Sequence, residues 1–248
     1  MIRLVNTLSL LGFLAASGCA LTALGAGLGF RFGWWNYSAG IGTIAFVFWV
    51  AAGVAVICAF SIALVAMGGG TRTAFVMSLT GLAIAAATAW VPYDLRMTAN
   101  ALPRIHDIST DLTDPPQFDR VAALRTPDEN PVAYDGPETA ALQRNAYPDI
   151  APLVLSAPRE AVMAAAQAAL TSMGLALVAV DAAQGRIEAT ATSLLFGFKD
   201  DMVVRITDDA GGTKVDVRSK SRVGRHDFGM NAKRIREFQS RLQAALNS

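Results

Sequence analysis

The chain has 248 residues, of which 53% are hydrophobic and 17% are charged. Soluble domains average about 25% charged residues, so an apolar part must lower the figure here. Residues 1–92 hold three basic residues and no acidic one, and Asp94 is the first acid. This asymmetry excludes disorder and a single globular enzyme that fills the chain. It predicts a membrane domain over 1–93 and one soluble domain over 94–248.

Three uncharged segments in the first domain are long enough to cross a bilayer. They cover about 5–29, 40–66 and 73–92, and a spanning helix needs roughly 20 apolar residues. The aromatic residues at their ends are typical of an interfacial belt: Trp34, Trp35, Trp90 and Tyr93. No charge lies inside a span, which disfavours transport or a proton relay. Both cysteines are intramembrane, so the soluble domain has no thiol for a disulfide or a zinc site.

The charges that flank the spans do not decide their orientation. Three spans place the two ends of the chain on opposite sides of the membrane, and the positive-inside count is a tie. The N-terminal Met-Ile-Arg followed by a Leu/Ala run is typical of an exported chain. We therefore expect a multi-pass protein of the bacterial inner membrane, with its C-terminal domain in the periplasm.

The first part of the soluble domain is rich in proline. Eight of the ten prolines lie between Pro103 and Pro152, and proline interrupts both long helices and central strands. The pattern predicts an extended arm over 94–152 with one short helix near 137–145. The arm is either a linker or a segment packed over the domain.

Hydrophobic periodicity in residues 153–248 predicts an antiparallel sheet and two helices. The expected strands cover 153–155, 175–180, 186–192, 202–207 and 214–220, and the expected helices cover 158–173 and 231–246. Gly174 is expected to end the first helix. The predicted fold class is therefore α+β: three transmembrane helices, then an antiparallel sheet covered by two helices, with a Pro-rich arm.

The last predicted strand alternates between two kinds of side chain. Val215, Val217 and Ser219 share one face, so Val217 is expected in the core and Lys220 on the exposed face. An acidic residue at 217 should therefore destabilise the fold, and one at 220 should change stability little. The candidate ligand-binding residues on or near the basic face are Arg205, Arg218, Lys220, Arg222 and Arg234. They form either a site for anionic lipid head groups or another polyanion, or a solvated face neutralised by the acidic arm.

Catalytic candidates in the soluble domain are weak. They are His106, Asp107, Ser219 and Ser221, because a His–carboxylate pair is the minimum for general-base work. No Gly-x-Ser-x-Gly elbow singles out a serine, and the two histidines lack metal-ligand spacing. We expect no metal and no cofactor. Nucleic acid is not expected either, since the domain is slightly acidic and lacks basic–aromatic interleaving.

Three blocks of the soluble domain resemble the DUF1499 family, a domain of unknown function. They are 105–111 with Asp114-Pro115-Pro116 and Tyr147-Pro148, then 198–205, and then 215–224 with Asp227, Gly229, Asn231, Arg234 and Ile235. The resemblance covers about 105–246, and it implies that the Pro-rich arm is part of the domain and not a linker. It also implies a bacterial envelope or organellar protein without an established reaction.

The sequence thus predicts a non-enzymatic, membrane-anchored envelope protein. Its expected partners are the lipid bilayer and an anionic or amphipathic envelope component or a protein. Two alternatives stay open: a periplasmic hydrolase that uses His106 and Asp107 with a serine, and a scaffold subunit of a membrane complex. A pocket that unites His106 and Asp107 with Ser219 and Ser221 would favour the hydrolase.

Overall fold

Three long apolar helices form the N-terminal part of the computed structural model, which describes residues 1–247. They are α1 (Ile2–Arg31), α2 (Tyr37–Leu64) and α3 (Arg72–Ala101). A π-helical turn over Val65–Gly69 extends α2, and Gly68 interrupts it with φ +82°, a conformation that a side chain disfavours. Each helix is long and apolar enough to cross a membrane, which confirms the prediction of three spans.

The third helix is longer than predicted. It continues through Pro92 to Ala101, whereas the sequence placed the start of an extended arm at residue 94. Charged residues such as Asp94 and Arg96 end a span, but they do not end a helix, because water solvates their side chains beyond the bilayer. The expectation of extended chain over 94–101 was therefore wrong.

The helices of the membrane part meet through small residues. Gly12 and Gly81 lie so close to Cys58 that a Cβ atom added to either would be 2.9 or 3.0 Å from its sulfur. In the adjacent layer, one serine hydroxyl from each helix joins a buried cluster with oxygen–oxygen distances of 2.7 and 3.0 Å. These residues are Ser9, Ser61 and Ser78. Close backbone approach and buried hydroxyl contacts are how helices associate in lipid.

The described chain forms two compact units. The first comprises Met1–Thr98 with Leu194–Gly197, and the second comprises Ala99–Ser193 with the residues from Phe198 onward. The last position of the predicted soluble domain, residue 248, lies outside the described residues. The chain passes between the units at residues 98–99, 193–194 and 197–198.

A six-stranded antiparallel sheet is the centre of the second unit. The strands are β1 (Asp107–Ser109), β2 (Leu153–Leu155), β3 (Ala176–Asp181), β4 (Arg186–Thr192), β5 (Lys199–Asp209) and β6 (Gly212–Ser221). Their order in the sheet is β1-β6-β5-β4-β3, and β2 also pairs with β6. The helices are α4 (Pro137–Ala146), α5 (Arg159–Ser172) and α6 (Met230–Leu246). The α+β prediction is confirmed, and Gly174 follows α5 with φ +78°.

The arm contains elements that the sequence did not reveal. It includes β1 and a 3-10 helix over Arg120–Leu124, in addition to α4 at the expected place. Three residues are too few to show a period of their own. They form a strand because β6 offers a free edge, with Asp107 opposite Lys220.

The two faces of the sheet have different coverings. On one face, α5 and α6 contribute Leu170 and Phe238 to a core with residues of β4, β5 and β6. On the other face, Phe118 and Val121 of the arm pack on Val203 of β5. Side chains alternate along a strand, so the charged residues of β5 and β6 lie beneath the arm.

Candidate functional site

The predicted alternation of β6 is present, but its basic face is covered. Val215 and Val217 are fully buried in the core. On the opposite face, the Arg218 and Lys220 side chains are 0% exposed, because the arm lies over them. The expectation of a solvent-exposed basic face was therefore wrong. Burying charges is tolerated only with paired partners, and the arm carries those partners.

Arg218 forms the central pair of this layer. Its Nε and Nη2 atoms each donate to a different oxygen of Asp107 at 2.8 Å. The guanidinium carbon lies 4.9 Å from the ring centre of Phe118 and 5.3 Å from that of Tyr134. The bidentate carboxylate pairs with the charge of the Arg218 guanidinium, and the two aromatic rings add cation–π contacts with its planar surface. Burial raises the pKa of Tyr134 to about 12, with Asp107 adding to the effect, so the phenol stays neutral.

Lys220 binds two acids of the arm. Its Nζ atom donates to Asp135 Oδ1 at 2.6 Å and lies 3.2 Å from Asp107 Oδ2. It also donates to the carbonyl oxygen of Ala133 at 2.6 Å. The ammonium group thus has three oxygen partners, which is its full donor capacity.

His106 lies at the edge of the same cluster. Its Nε2 atom is 3.4 Å from Asp135 Oδ2, but the orientation does not make a hydrogen bond. Burial lowers the pKa of His106; Asp135 opposes that shift, whereas the nearby Lys220 adds to it. A neutral imidazole is therefore favoured at this position.

Arg222 holds the end of β6 through Asp201 of β5. Its Nε and Nη2 atoms donate to the two oxygens of Asp201 at 2.9 and 2.8 Å. Arg125 of the arm donates from Nε to the same carboxylate at 2.9 Å, and Thr190 of β4 donates to it at 2.8 Å. Asp201 is fully buried, and it joins two strands of the sheet to the arm.

Arg205 and Lys214 share the acids at the other end of β6. Arg205 Nη2 donates to Asp216 Oδ2 at 3.0 Å, and Nη1 donates to Asp114 Oδ2 at 2.7 Å. Lys214 Nζ is 3.3 Å from Asp111. Burial alone would raise the pKa of Asp111, but the amides of residues 113 and 114 together with Lys214 hold that pKa below its usual value.

Glu188 of β4 is a buried acid that the sequence analysis missed. Its two oxygens accept hydrogen bonds from the backbone N–H groups of Asp119 and Val121, each at 2.8 Å. The only available signal was its position between Arg186 and Thr190, on the polar side of an alternating strand. We refer to these contacts together as the buried ion-pair layer, whose members are Asp107, Asp201, Asp216, Glu188, Arg125, Arg205, Arg218, Lys220 and Arg222.

Arg234 does not border this layer, contrary to expectation. It lies on the helix-covered face, where Nη2 donates to Asp200 Oδ2 at 2.8 Å and Nη1 donates to Asn231 Oδ1 at 2.7 Å. Asp200 pairs with Ser221 in the register of β5 and β6, so its side chain points away from Arg218. The alternation of the strand separates the two sites.

The candidate nucleophiles are separated from the candidate base in the same way. Ser219 donates to Asn231 Oδ1 at 2.7 Å, and Ser221 accepts from Asn231 Nδ2 at 3.0 Å. The His106 side chain approaches Asp135 and Lys220, on the arm side of the sheet. Among residues 1–247, no hydrogen bond joins the imidazole to either serine. The four catalytic candidates therefore do not form one constellation here.

A shallow depression of about 480 Å³ lies at the start of α5. None of the predicted site residues lines it. Its lining residues are Ser156, Ala157, Pro158, Arg159, Glu160, Asp208, Gly212 and Thr213.

Three membrane-spanning helices, followed by an α+β domain whose basic strand is paired internally with an acidic arm, define a membrane-anchored domain protein. The chain belongs to the family described as Protein of unknown function (DUF1499), whose family model matches residues 107–242. The match begins in β1 and ends in α6, so it includes the arm from Asp107 onward, in agreement with the resemblance. A comparison with curated proteins finds no match.

Proposed function

We propose that the protein is a membrane-anchored, non-enzymatic binding module of the bacterial envelope. Its ligand is an anionic or amphipathic envelope component or a protein partner. The observation that carries the proposal is the buried ion-pair layer. Asp107, Arg218 and Lys220 are charged groups that the sequence offered as candidates for catalysis or ligand binding. They are enclosed and paired with one another, and these pairs hold the arm on the sheet.

The arrangement of the serines supports a binding role over hydrolysis. A serine nucleophile needs a base within hydrogen-bond reach. Ser219 instead donates to Asn231, which Arg234 also holds, while His106 faces the arm. In this arrangement both serines join α6 to the sheet.

We place the domain on the periplasmic side of the inner membrane. The support is the exported character of the N-terminal sequence and the odd number of spans, which puts the domain on the side opposite the N-terminus. Envelope components are then the ligands that the domain can reach.

The test combines a chemical probe with identification of bound molecules. The full chain, solubilised in detergent, is treated with a fluorophosphonate, which labels activated serines covalently. We expect no labelling at Ser219 or Ser221, and we expect an envelope component to co-purify in stoichiometric amount, as read by mass spectrometry of the extract. Labelling of either serine that disappears in His106→Gln but persists in Ser240→Ala would overturn the proposal.

A further inference from the structure

Five basic residues of the second unit have no carboxylate partner, and one of them, Arg144, lies in α4. Each is exposed, and no ion pair within the described part of the chain includes any of them. The other four are Arg104, Lys199, Arg225 and Lys233. We call this set the basic end.

The register of the sheet brings these four residues to the same end of the domain. Arg104 precedes β1 and Arg225 follows β6, and the start of β1 pairs with the end of β6. Lys199 begins β5, whose start also pairs with the end of β6. Lys233 lies in the first turn of α6, a few residues after β6.

The opposite end of the sheet carries the reverse charge. Glu160, Asp181 and Asp209 have no ion pair among residues 1–247, and they lie at the start of α5 and the ends of β3 and β5. Two exposed acids of the arm, Asp128 and Glu138, reduce the charge near the basic end, but its four cations still exceed them. The domain therefore has a positive end and a negative end.

Apolar side chains are exposed beside these cations. Phe228 is 38% exposed and Met230 is 47% exposed. Phe228 has φ +55°, the one positive value for a non-glycine residue in the described chain. Asp227 stabilises this turn, because its carboxylate accepts from the N–H groups of Gly229 and Asn231, each at 2.9 Å. A strained backbone held in this way is typical of a functional loop.

The basic end also lies beside Ala99, the residue at which the second unit begins. Ala99 follows Asp94, the first charge after the third span, by five residues of helix, which is about 7–8 Å along the axis. The head-group layer of a bilayer is about 5–8 Å thick. His226 Nε2 lies 3.2 Å from the Ala99 carbonyl oxygen, so the loop over 225–230 is beside this point. Lys199 is the second residue after another passage of the chain between the two units, at residues 197–198.

We propose that the basic end, with Phe228 and Met230, docks on an anionic bilayer surface. The cations attract acidic head groups within a Debye length of the membrane, and the two apolar side chains enter the interfacial layer. This site replaces the basic face of β6, whose cations are already paired. The inference rests on the proposed function, since it names the ligand class and the surface of that binding module.

The experiment uses the full chain in nanodiscs of phosphatidylcholine, with or without phosphatidylglycerol. Met230→Cys carries a polarity-sensitive fluorophore, and Gln184→Cys at the opposite end is the positional control; the unmutated chain corrects for labelling of Cys19 and Cys58. We expect a blue shift at position 230 only, only with phosphatidylglycerol, and smaller at high salt.

Charge reversal then identifies the residues. Arg225→Glu with Lys233→Glu should abolish the blue shift, whereas Gln184→Glu, at an exposed position at the opposite end of the sheet, should leave it. Thermal unfolding should be unchanged, since none of these residues has an ion-pair partner in the described structure. Equal emission in both lipids, or a shift that survives the double reversal, would overturn this site. Co-purification of an envelope component would then still support the binding function, while probe labelling of Ser219 would end that function whatever the docking result.

Discussion

Arg218 tests how much the buried ion pairs contribute to stability. Its partner Asp107 is buried, so water cannot solvate that carboxylate when the pair is broken. Arg218→Ala leaves the buried Asp107 carboxylate with Lys220 as its remaining cationic partner. We expect a loss of about 3–5 kcal/mol in the free energy of unfolding, as for other broken buried pairs. Denaturant unfolding of the detergent-solubilised chain measures it, with Arg144→Ala as the exposed control. Equal stability in the two variants would show that water reaches Asp107.

Lys220→Asp tests the corrected position of the β6 basic face. The substitution places a third carboxylate next to Asp107 and Asp135, away from water. It should lower the melting temperature to a similar extent as Val217→Asp, which buries an unpaired charge in the core. A melting temperature close to that of the unmutated chain would mean that the arm is detached in solution.

The lowered pKa of His106 predicts that the stability of the domain depends on pH. Burial lowers its folded-state pKa, although Asp135, Asp107 and Asp227 oppose this and Lys220 adds to it. The unfolded chain has a histidine pKa of about 6.5, so below that pH it binds the proton more readily than the folded chain. The free energy of unfolding is therefore at its full value above pH 6.5, and it falls as the pH drops from 6.5 towards the lowered pKa of His106. His106→Gln should remove this part of the slope in urea midpoints; a slope of opposite sign would contradict it.

For single residues of β6, the sequence predicted which face of the sheet each side chain lies on, but it did not predict that the basic face is buried. The period of two in β6 assigned Val217 and Lys220 to opposite faces, and that assignment is confirmed. Covering of the basic face depends on Asp107, which is 111 residues away from Arg218 in the chain. No local pattern contains a contact of that range.

Among the elements, the membrane helices offer the sharpest test. Gly12→Ala should destabilise the helix packing, since its Cβ would lie 2.9 Å from the Cys58 sulfur. Gly18→Ala, in the same helix, meets no atom within 4 Å and should be neutral or slightly stabilising. Thermal unfolding in detergent compares the two variants.

Cys58→Ala should restore the stability of Gly12→Ala, because the sulfur is the one atom that its new Cβ meets within 4 Å. It should restore Gly81→Ala less well, since that Cβ also meets the backbone of Phe13 at 3.1 Å. Equal rescue of both variants would contradict this packing.

Which elements were predictable follows from how each is stabilised. The helices over Arg159–Ser172 and Met230–Leu246 carry an apolar stripe of their own, and the sequence located both. The strand over Asp107–Ser109 has no such pattern and exists through its pairing with β6. The extension of α3 to Ala101 was missed because hydropathy marks the end of a span and not of a helix.

For the whole molecule, the first property to test is the side of the membrane on which the C-terminal domain lies. A phosphatase fused after residue 248 should be active, and one fused after Gly69, between α2 and α3, should be inactive. The enzyme matures only outside the cytoplasm, and three spans put these two positions on opposite sides. The reverse pattern would end the periplasmic assignment.

The position of β6 in the sheet determines when this domain can fold. It pairs with β1, β2 and β5, yet ribosomes make it nearly last. The acids of the arm are therefore synthesised, and remain solvated, before their basic partners in β6 exist. Because these contacts join residues distant in sequence, we expect the buried ion-pair layer to form late in folding. A nascent chain that stops before Gly212 should leave the entire domain open to proteases, and not just its final segment.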